Sequence, residues 1–330
     1  MKRRTVLQLA ALTLVLPGRA FAQATRRFRV GCLWFTSESS AKPFVEAFLA
    51  GLLDLGYVPG RNVVLDMRYA GGDSGRLPAL ADELIALKPD VLVGLETAAV
   101  VMKSKTATIP IVLVASADPL AARLVHSLAR PGTNVTGMAY RIDDLLAKHI
   151  ELLIEIVPKM SRIALFNYAL LASDPAASLA ARMEQIARKA AAAKGLTLIV
   201  ASARDAEGVR QAFAGLEKER PEGIVVAGTA PMFLLRHEII EHAQRLRLPA
   251  ISSLPEWVQA GGLIGYGPNN LWHFRYSATY VHRILTGAKP AELPVEQAAK
   301  FEFAVNLKTA REIGLTIPQS ILLRADRVIE

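Results

Sequence analysis

Short apolar runs alternate with helical periodicity along most of this chain. Val30 to Phe35 is a compact apolar run that predicts a strand. Phe44, Phe48, Leu52 and Leu55 then recur at helical spacing, and Gly56 follows where a helix would end. Val63 to Tyr69 predicts the next strand. Leu77, Leu80, Leu84 and Leu87 mark a second helix face, stopped by Lys88-Pro89. Val91 to Val93 and Ile111 to Val114 complete a set of four strands. Strands this short and this apolar predict a parallel sheet covered by helices on both faces.

The same order of elements begins again past residue 140. Ile163 to Phe166, Leu196 to Ala201 and Ile224 to Val226 predict strands. Ser178 to Ala193 and Val209 to Leu216 predict the helices between them, and further signals continue beyond Pro249. One stretch repeats almost residue for residue. Lys88-Pro89-Asp90, an apolar strand and Thr97-Ala98 match Arg220-Pro221-Glu222, an apolar strand and Thr229-Ala230. A single long spacing of this kind points to two related βα lobes and not to a short-period repeat. The expected fold class is therefore α/β, with two doubly wound parallel-sheet lobes.

This layout locates a candidate site. Open parallel sheets bind ligands beyond the carboxyl ends of their strands, where loops meet helix N-termini. The strand ends supply Phe35, Thr36 and Ser37; Thr97 and Ala98; Ser116 and Asp118; Asn167 and Tyr168; Thr229; and Ser252. Hydroxyls beside aromatic side chains suit a ligand with a polar head and a flat or apolar body. Thr97 and Thr229 equally suit helix N-caps, and Asp118-Pro119 equally suits a turn start. Asp118 also fits as a partner for a ligand ammonium.

The N-terminus changes the expected compartment. Lys2, Arg3 and Arg4 precede an apolar run from Val6 to Leu16, and Ala20-Phe21-Ala22 is a small-x-small site. This predicts a signal peptide over 1–22, cut after Ala22, and export to the periplasm by the general or the twin-arginine route. Its loss removes four basic residues and no acid, so the net charge of +9 falls to +5. The remaining charges are interspersed, with no basic run for nucleic acid. Cys32, the single cysteine, lies inside an apolar run and is expected in the core. The six histidines are scattered and are expected at the surface. No nucleophile elbow, phosphate loop, dinucleotide fingerprint or zinc-protease motif occurs, so no catalytic residues, metal or cofactor are expected.

Several ordered motifs then carry a resemblance. They are Phe48-Leu49-Ala50-Gly51-Leu52, Leu55-Gly56-Tyr57-Val58-Pro59-Gly60-Arg61-Asn62-Val63, Arg76-Leu77-Pro78-Ala79-Leu80-Ala81 and Leu128-Ala129-Arg130-Pro131-Gly132-Thr133-Asn134-Val135-Thr136-Gly137. Later come Ala260-Gly261-Gly262-Leu263, Tyr266-Gly267-Pro268, Asn306-Leu307-Lys308-Thr309-Ala310 and Leu315-Thr316-Ile317-Pro318. The chain resembles the ABC-transporter substrate-binding proteins related to tryptophan- and tyrosine-type receptors, with the type I periplasmic-binding-protein fold. The resemblance implies three hinge crossings, near Gly137 to Asp143, near Gly265 to Asn270 and after Pro290. One lobe then spans 28–138 plus about 268–292, with the helix Leu271 to Leu285 returning to it. The other spans 139–267 plus about 293–330. Tyr266 and Glu96 join the expected ligand-facing positions. Relatives commonly have a small residue where this chain has Glu96, and Asn-Pro where it has Asn167-Tyr168.

The resemblance implies a monomeric receptor that delivers a small-molecule solute, an amino acid (aromatic among the options) or an aromatic acid, to an ABC permease in the inner membrane. A ligand-binding sensor subunit for a membrane signalling protein shares the fold and stays open as an alternative. A periplasmic enzyme would need a catalytic constellation that the motifs do not supply.

Overall fold

The computed structural model describes residues 27–169, 177–297 and 300–330, with side chains of the helix after 176 described from Ala180 onward. The expected signal segment, residues 1–22, lies outside the described residues.

The first lobe begins with β1 (Phe28–Trp34), α1 (Glu38–Asp54), β2 (Val63–Tyr69), α2 (Leu77–Ala86), β3 (Val91–Gly94), α3 (Glu96–Lys105), β4 (Ile111–Leu113) and β5 (Val135–Ala139). The second lobe follows with α4 (Ile142–Ile156), β6 (Arg162–Tyr168), α5 (Ala177–Ala193), β7 (Thr197–Ala203), α6 (Ala206–Glu219) and β8 (Gly223–Val226). It continues through α7 (Ala230–Leu234), α8 (Arg236–Arg245), β9 (Ala250–Ser252), α9 (Glu256–Gln259) and β10 (Ile264–Pro268). The chain then returns to the first lobe as α10 (Asn270–Leu285) and β11 (Glu296–Gln297). It ends in the second with β12 (Phe301–Asn306), α11 (Leu307–Glu312), α12 (Gln319–Leu322) and β13 (Arg327–Ile329).

The two sheets run β11-β5-β4-β3-β1-β2 and β13-β12-β10-β9-β8-β6-β7. Pairing is parallel except where β12 lies antiparallel to β10. The chain passes between the lobes after Ala139, after Pro268 and after Gln297. The third passage is later than expected. Residues 293–297, expected in the second lobe, belong with the first, because Glu296 and Gln297 pair with Met138 and Ala139.

Alternation along the strands explains why both faces of the first sheet are dry. Val30, Cys32 and Trp34 of β1 and Val91 and Val93 of β3 point to one face, where α1 and α10 pack. Leu33, Leu92, Ile111 and Leu113 point to the other, under α2 and α3. Cys32 is buried in this core, and burial pushes its thiol pKa up, so it is an inert packing residue. The helix layer is tight at α1 and α10. A Cβ on Gly51 would sit 2.2 Å from the Arg275 carbonyl oxygen.

The internal repeat is visible in the backbone. Lys88 and Arg220 both take φ of 51°, in the left-handed region. Each precedes the strand beside the first strand of its lobe, β3 against β1 and β8 against β6. The halves diverge after that strand, where the helix starts two positions later in the second lobe. Leu95 is the N-cap of α3, so Thr97 lies inside that helix's first turn, whereas Thr229 is itself the N-cap of α7.

Two of the histidines expected at the surface are buried. His149 on α4 and His273 on α10 have 1% and 0% exposure. Each belongs to the apolar face of an amphipathic helix, where burial holds the ring neutral and pushes its pKa down to about 4.

Candidate functional site

The carboxyl ends of both sheets face one another across a cavity of about 170 Å3. Its walls come from the loops after β1, β3, β4 and β5 on one side and β6, β8 and β9 on the other. This is the position that a switch between neighbouring parallel strands opens to a ligand.

Aromatic side chains form much of the wall. Trp34 and Phe274 lie 5.3 Å apart between ring centroids, and Phe274 and Phe44 lie 5.2 Å apart. Phe44 of α1 then meets Phe233 of α7 edge-on, at 6.0 Å and 72°. This row therefore crosses from the first lobe to the second. Phe35, Tyr140 and Tyr168 also line the cavity. The loop holding Phe35 and Thr36 is fixed by their carbonyls, which accept from Gly72 and Gly71 N–H at 2.7 and 3.3 Å.

Polar groups are fewer and deliberately placed by the backbone. Glu96 opens α3, and its Oε2 accepts from the Ser116 hydroxyl and from the N–H groups of Ala117 (2.8 Å) and Asp118 (3.4 Å). Burial lifts the Glu96 carboxyl above the usual carboxylate range, against the lowering effect of those three bonds. Burial and the nearby Glu96 also raise the Tyr140 hydroxyl pKa. Thr36, Ser74, Thr97, Asn167, Thr229 and Asn270 complete the described polar lining. Thr229 occupies an N-cap position, yet its hydroxyl makes no capping bond and has no partner among the described residues. No Lys, Arg or His belongs to the described wall. No group of three His, Cys, Asp or Glu able to hold a metal occurs among the described residues.

Of the positions picked from sequence, the structure brings Phe35, Thr36, Glu96, Thr97, Ser116, Asn167, Tyr168 and Thr229 together on this wall. Five others lie elsewhere. The Ser37 hydroxyl caps α1, accepting from Ser40 N–H. Ala98 is buried in the first-lobe core. Ser252 is buried within β9, with its hydroxyl oxygen accepting from Leu254 N–H at 3.4 Å. Tyr266 packs on Phe301 and Phe303 at the hinge, and its carbonyl accepts from His149 Nε2 at 2.7 Å. Asp118 is engaged twice. Its Oδ1 accepts from Leu120 and Ala121 N–H in a turn, and its Oδ2 meets Arg182 of α5. It is therefore a turn residue and an interlobe partner, not a free anion for a ligand.

Sequence reasoning missed Trp34, Phe44, Tyr140, Phe233, Asn270 and Phe274. Phe44 and Phe274 occupy helix faces and look like core residues until α1 and α10 are placed together. Tyr140 follows β5, a strand whose Thr136-Gly137 interrupts its apolar run. The position just past a strand end was the signal that would have found it.

The comparisons agree with this geometry. A family model described as ABC transporter substrate binding protein matches residues 29–329. A tyrosine-binding protein of Clostridioides difficile (strain R20291) is 32% identical over 119 residues, or 36% of this chain and 34% of that protein. The match thus spans about a third of that relative's length. Among solved structures, a conserved domain protein from Vibrio cholerae aligns at a TM-score of 0.85 and 27% identity, over 92% of this chain and 100% of that one. An ABC domain from Streptococcus pneumonia in complex with L-Trp aligns at a TM-score of 0.81 and 25% identity, with the same coverage of both chains.

Proposed function

This chain belongs to the ABC transporter substrate-binding protein family, and on that premise we propose that it captures an aromatic amino acid between its lobes for delivery to a membrane permease. The observation that carries the reading is the cavity wall. Seven aromatic side chains (Trp34, Phe35, Phe44, Tyr140, Tyr168, Phe233 and Phe274) surround a space in which Glu96 is the one carboxylate among the described residues. A cavity of roughly 150 Å3 holds a benzene-sized ring, so the observed 170 Å3 suits a ring-bearing solute. The tyrosine-binding relative and the L-Trp complex support the same class.

Recognition divides between body and head. The ring stacks among the aromatic walls, while hydroxyls and amides orient the polar end. A ligand ammonium pairs with Glu96. A ligand carboxylate meets neutral donors, including the threonine hydroxyls and the first N–H groups of α3, where no side chain caps the helix. Micromolar binding requires about −8 kcal/mol, within reach of one buried ring and a few such bonds. The lobes close by a hinge at the three crossings.

The receptor works outside the cytoplasmic membrane, as a monomer, after removal of residues 1–22, and it binds no nucleic acid. Mass spectrometry of the protein purified from an exported fraction and then denatured tests the function. An aromatic amino acid released in equimolar amount is the expected result. Release of a sugar or a metal complex instead overturns the reading.

A further inference from the structure

Ionisable groups around the cavity are one-sided. Among the described residues Glu96 is the carboxylate of the wall, and no basic side chain joins it. Arg182, on the same helix as the lining residues Ala180 and Met183, is already engaged. Its Nε lies 2.7 Å from Asp118 Oδ2, and its Nη2 lies 3.6 Å from Asp143.

The Glu96 carboxyl is asymmetric as well. All three of its hydrogen bonds fall on Oε2, and Oε1 accepts none from the described residues. One oxygen fixes the group against the loop after β4. The other is left for a donor brought by the ligand. A partly buried carboxylate gains most from a cation, because desolvation has already weakened its hydration. A lone ligand carboxylate gains nothing comparable, since the wall offers it neutral donors and a neighbour of like charge.

Resting on the reading of this cavity as the ligand site, we infer that Glu96 determines specificity by selecting an ammonium, and that the site accepts arylalkylamines lacking a carboxylate. Aromatic carboxylic acids lacking an ammonium are rejected. The α-carboxylate of an amino acid is tolerated and not required.

Calorimetric titration of the full exported protein, freed of ligand by unfolding and refolding, tests this with three matched probes. These are L-tyrosine, tyramine and 3-(4-hydroxyphenyl)propionate. Tyramine is expected to bind within about tenfold of L-tyrosine, and the propionate at least about 100-fold more weakly, a difference of about 2.7 kcal/mol. Glu96→Gln keeps an acceptor for Ser116 and Ala117. It is expected to cost tyramine at least about tenfold in affinity while narrowing the gap to the propionate. A purely structural role would weaken all three alike. Binding of L-tyrosine with tyramine more than 100-fold weaker, or with the propionate equal to it, overturns the inference and leaves the amino-acid reading standing. Binding by none of the three overturns the inference, and titration with L-tryptophan then decides separately whether the aromatic amino-acid reading stands. The wild-type comparison decides even if Glu96→Gln fails to fold.

Discussion

Arg182 of α5 places its Nε 2.7 Å from Oδ2 of Asp118, which follows β4, and so ties the second lobe to the first. The same guanidinium reaches Asp143 of its own lobe at 3.6 Å. Opening the cleft breaks the first contact and spares the second. The side chain of Asp118 is 13% exposed and that of Arg182 is 40% exposed. Solvent screening then limits the pair to about 1 kcal/mol or less. Asp118→Asn is expected to weaken ligand affinity by roughly two- to fivefold, chiefly through faster dissociation. Stopped-flow release measured beside equilibrium titration checks both numbers.

Phe44 and Phe233 bridge the lobes at the other end of the aromatic row. An edge-on aromatic pair contributes about 0.5–1.5 kcal/mol beyond burial. Phe233→Ala is expected to lower ligand affinity by roughly three- to tenfold. The melting temperature of the ligand-free protein is expected to change little, because Phe233 lies on a short helix at the rim and is only partly buried. Titration and a melt of the same sample separate the two effects.

Gly51 tests the packing that holds the site's floor. Replacement by Ala inside a helix ordinarily gains about 1 kcal/mol of propensity. Here the added Cβ would lie 2.2 Å from the Arg275 carbonyl oxygen and 3.0 Å from the Ala278 Cβ. A backbone carbonyl within a helix cannot swing aside, so α1 and α10 must separate. Gly51→Ala is expected to lose a net ~1–3 kcal/mol in urea unfolding.

His149 sets an acid limit on stability. Its buried ring, held near pKa 4, stays neutral in the fold while the unfolded residue titrates near its ordinary value. Because the folded pKa is depressed, the unfolded chain takes up the proton first as pH falls. Stability is full above about pH 6.5 and is lost progressively toward pH 4, by roughly 2 kcal/mol per such residue at about pH 5. His273 acts in the same direction. His149→Gln is expected to flatten, and not abolish, the fall in melting temperature between about pH 7 and pH 5. An unchanged slope would contradict the assignment.

Legibility followed the range of the interactions. Val63 to Tyr69 has the same bounds as β2, because its boundaries are set by neighbouring turns. The strand Val135–Ala139 was not recognisable, since Gly137 takes φ of 139° and a Cβ there would meet the Leu113 carbonyl at 2.1 Å. That glycine exists for a neighbouring strand and carries no local pattern. Thr36, Thr97 and Ser116 could be picked because wall positions follow strand ends in sequence. Phe44 and Phe274 could not, because their meeting depends on α10 returning across more than 200 residues. The contact between Asp118 and Arg182 was not legible either, for Arg182 lies one lobe away.

The most direct measurement is calorimetric titration of the refolded, ligand-free protein with L-tyrosine and L-tryptophan, alongside non-aromatic amino acids and sugars. Saturable one-to-one binding of at least one aromatic amino acid, abolished or strongly weakened by Phe274→Ala, is the expected result. Tight binding of a sugar or an aliphatic amino acid, with no heat from either aromatic one, would contradict an aromatic-lined receptor site between these lobes.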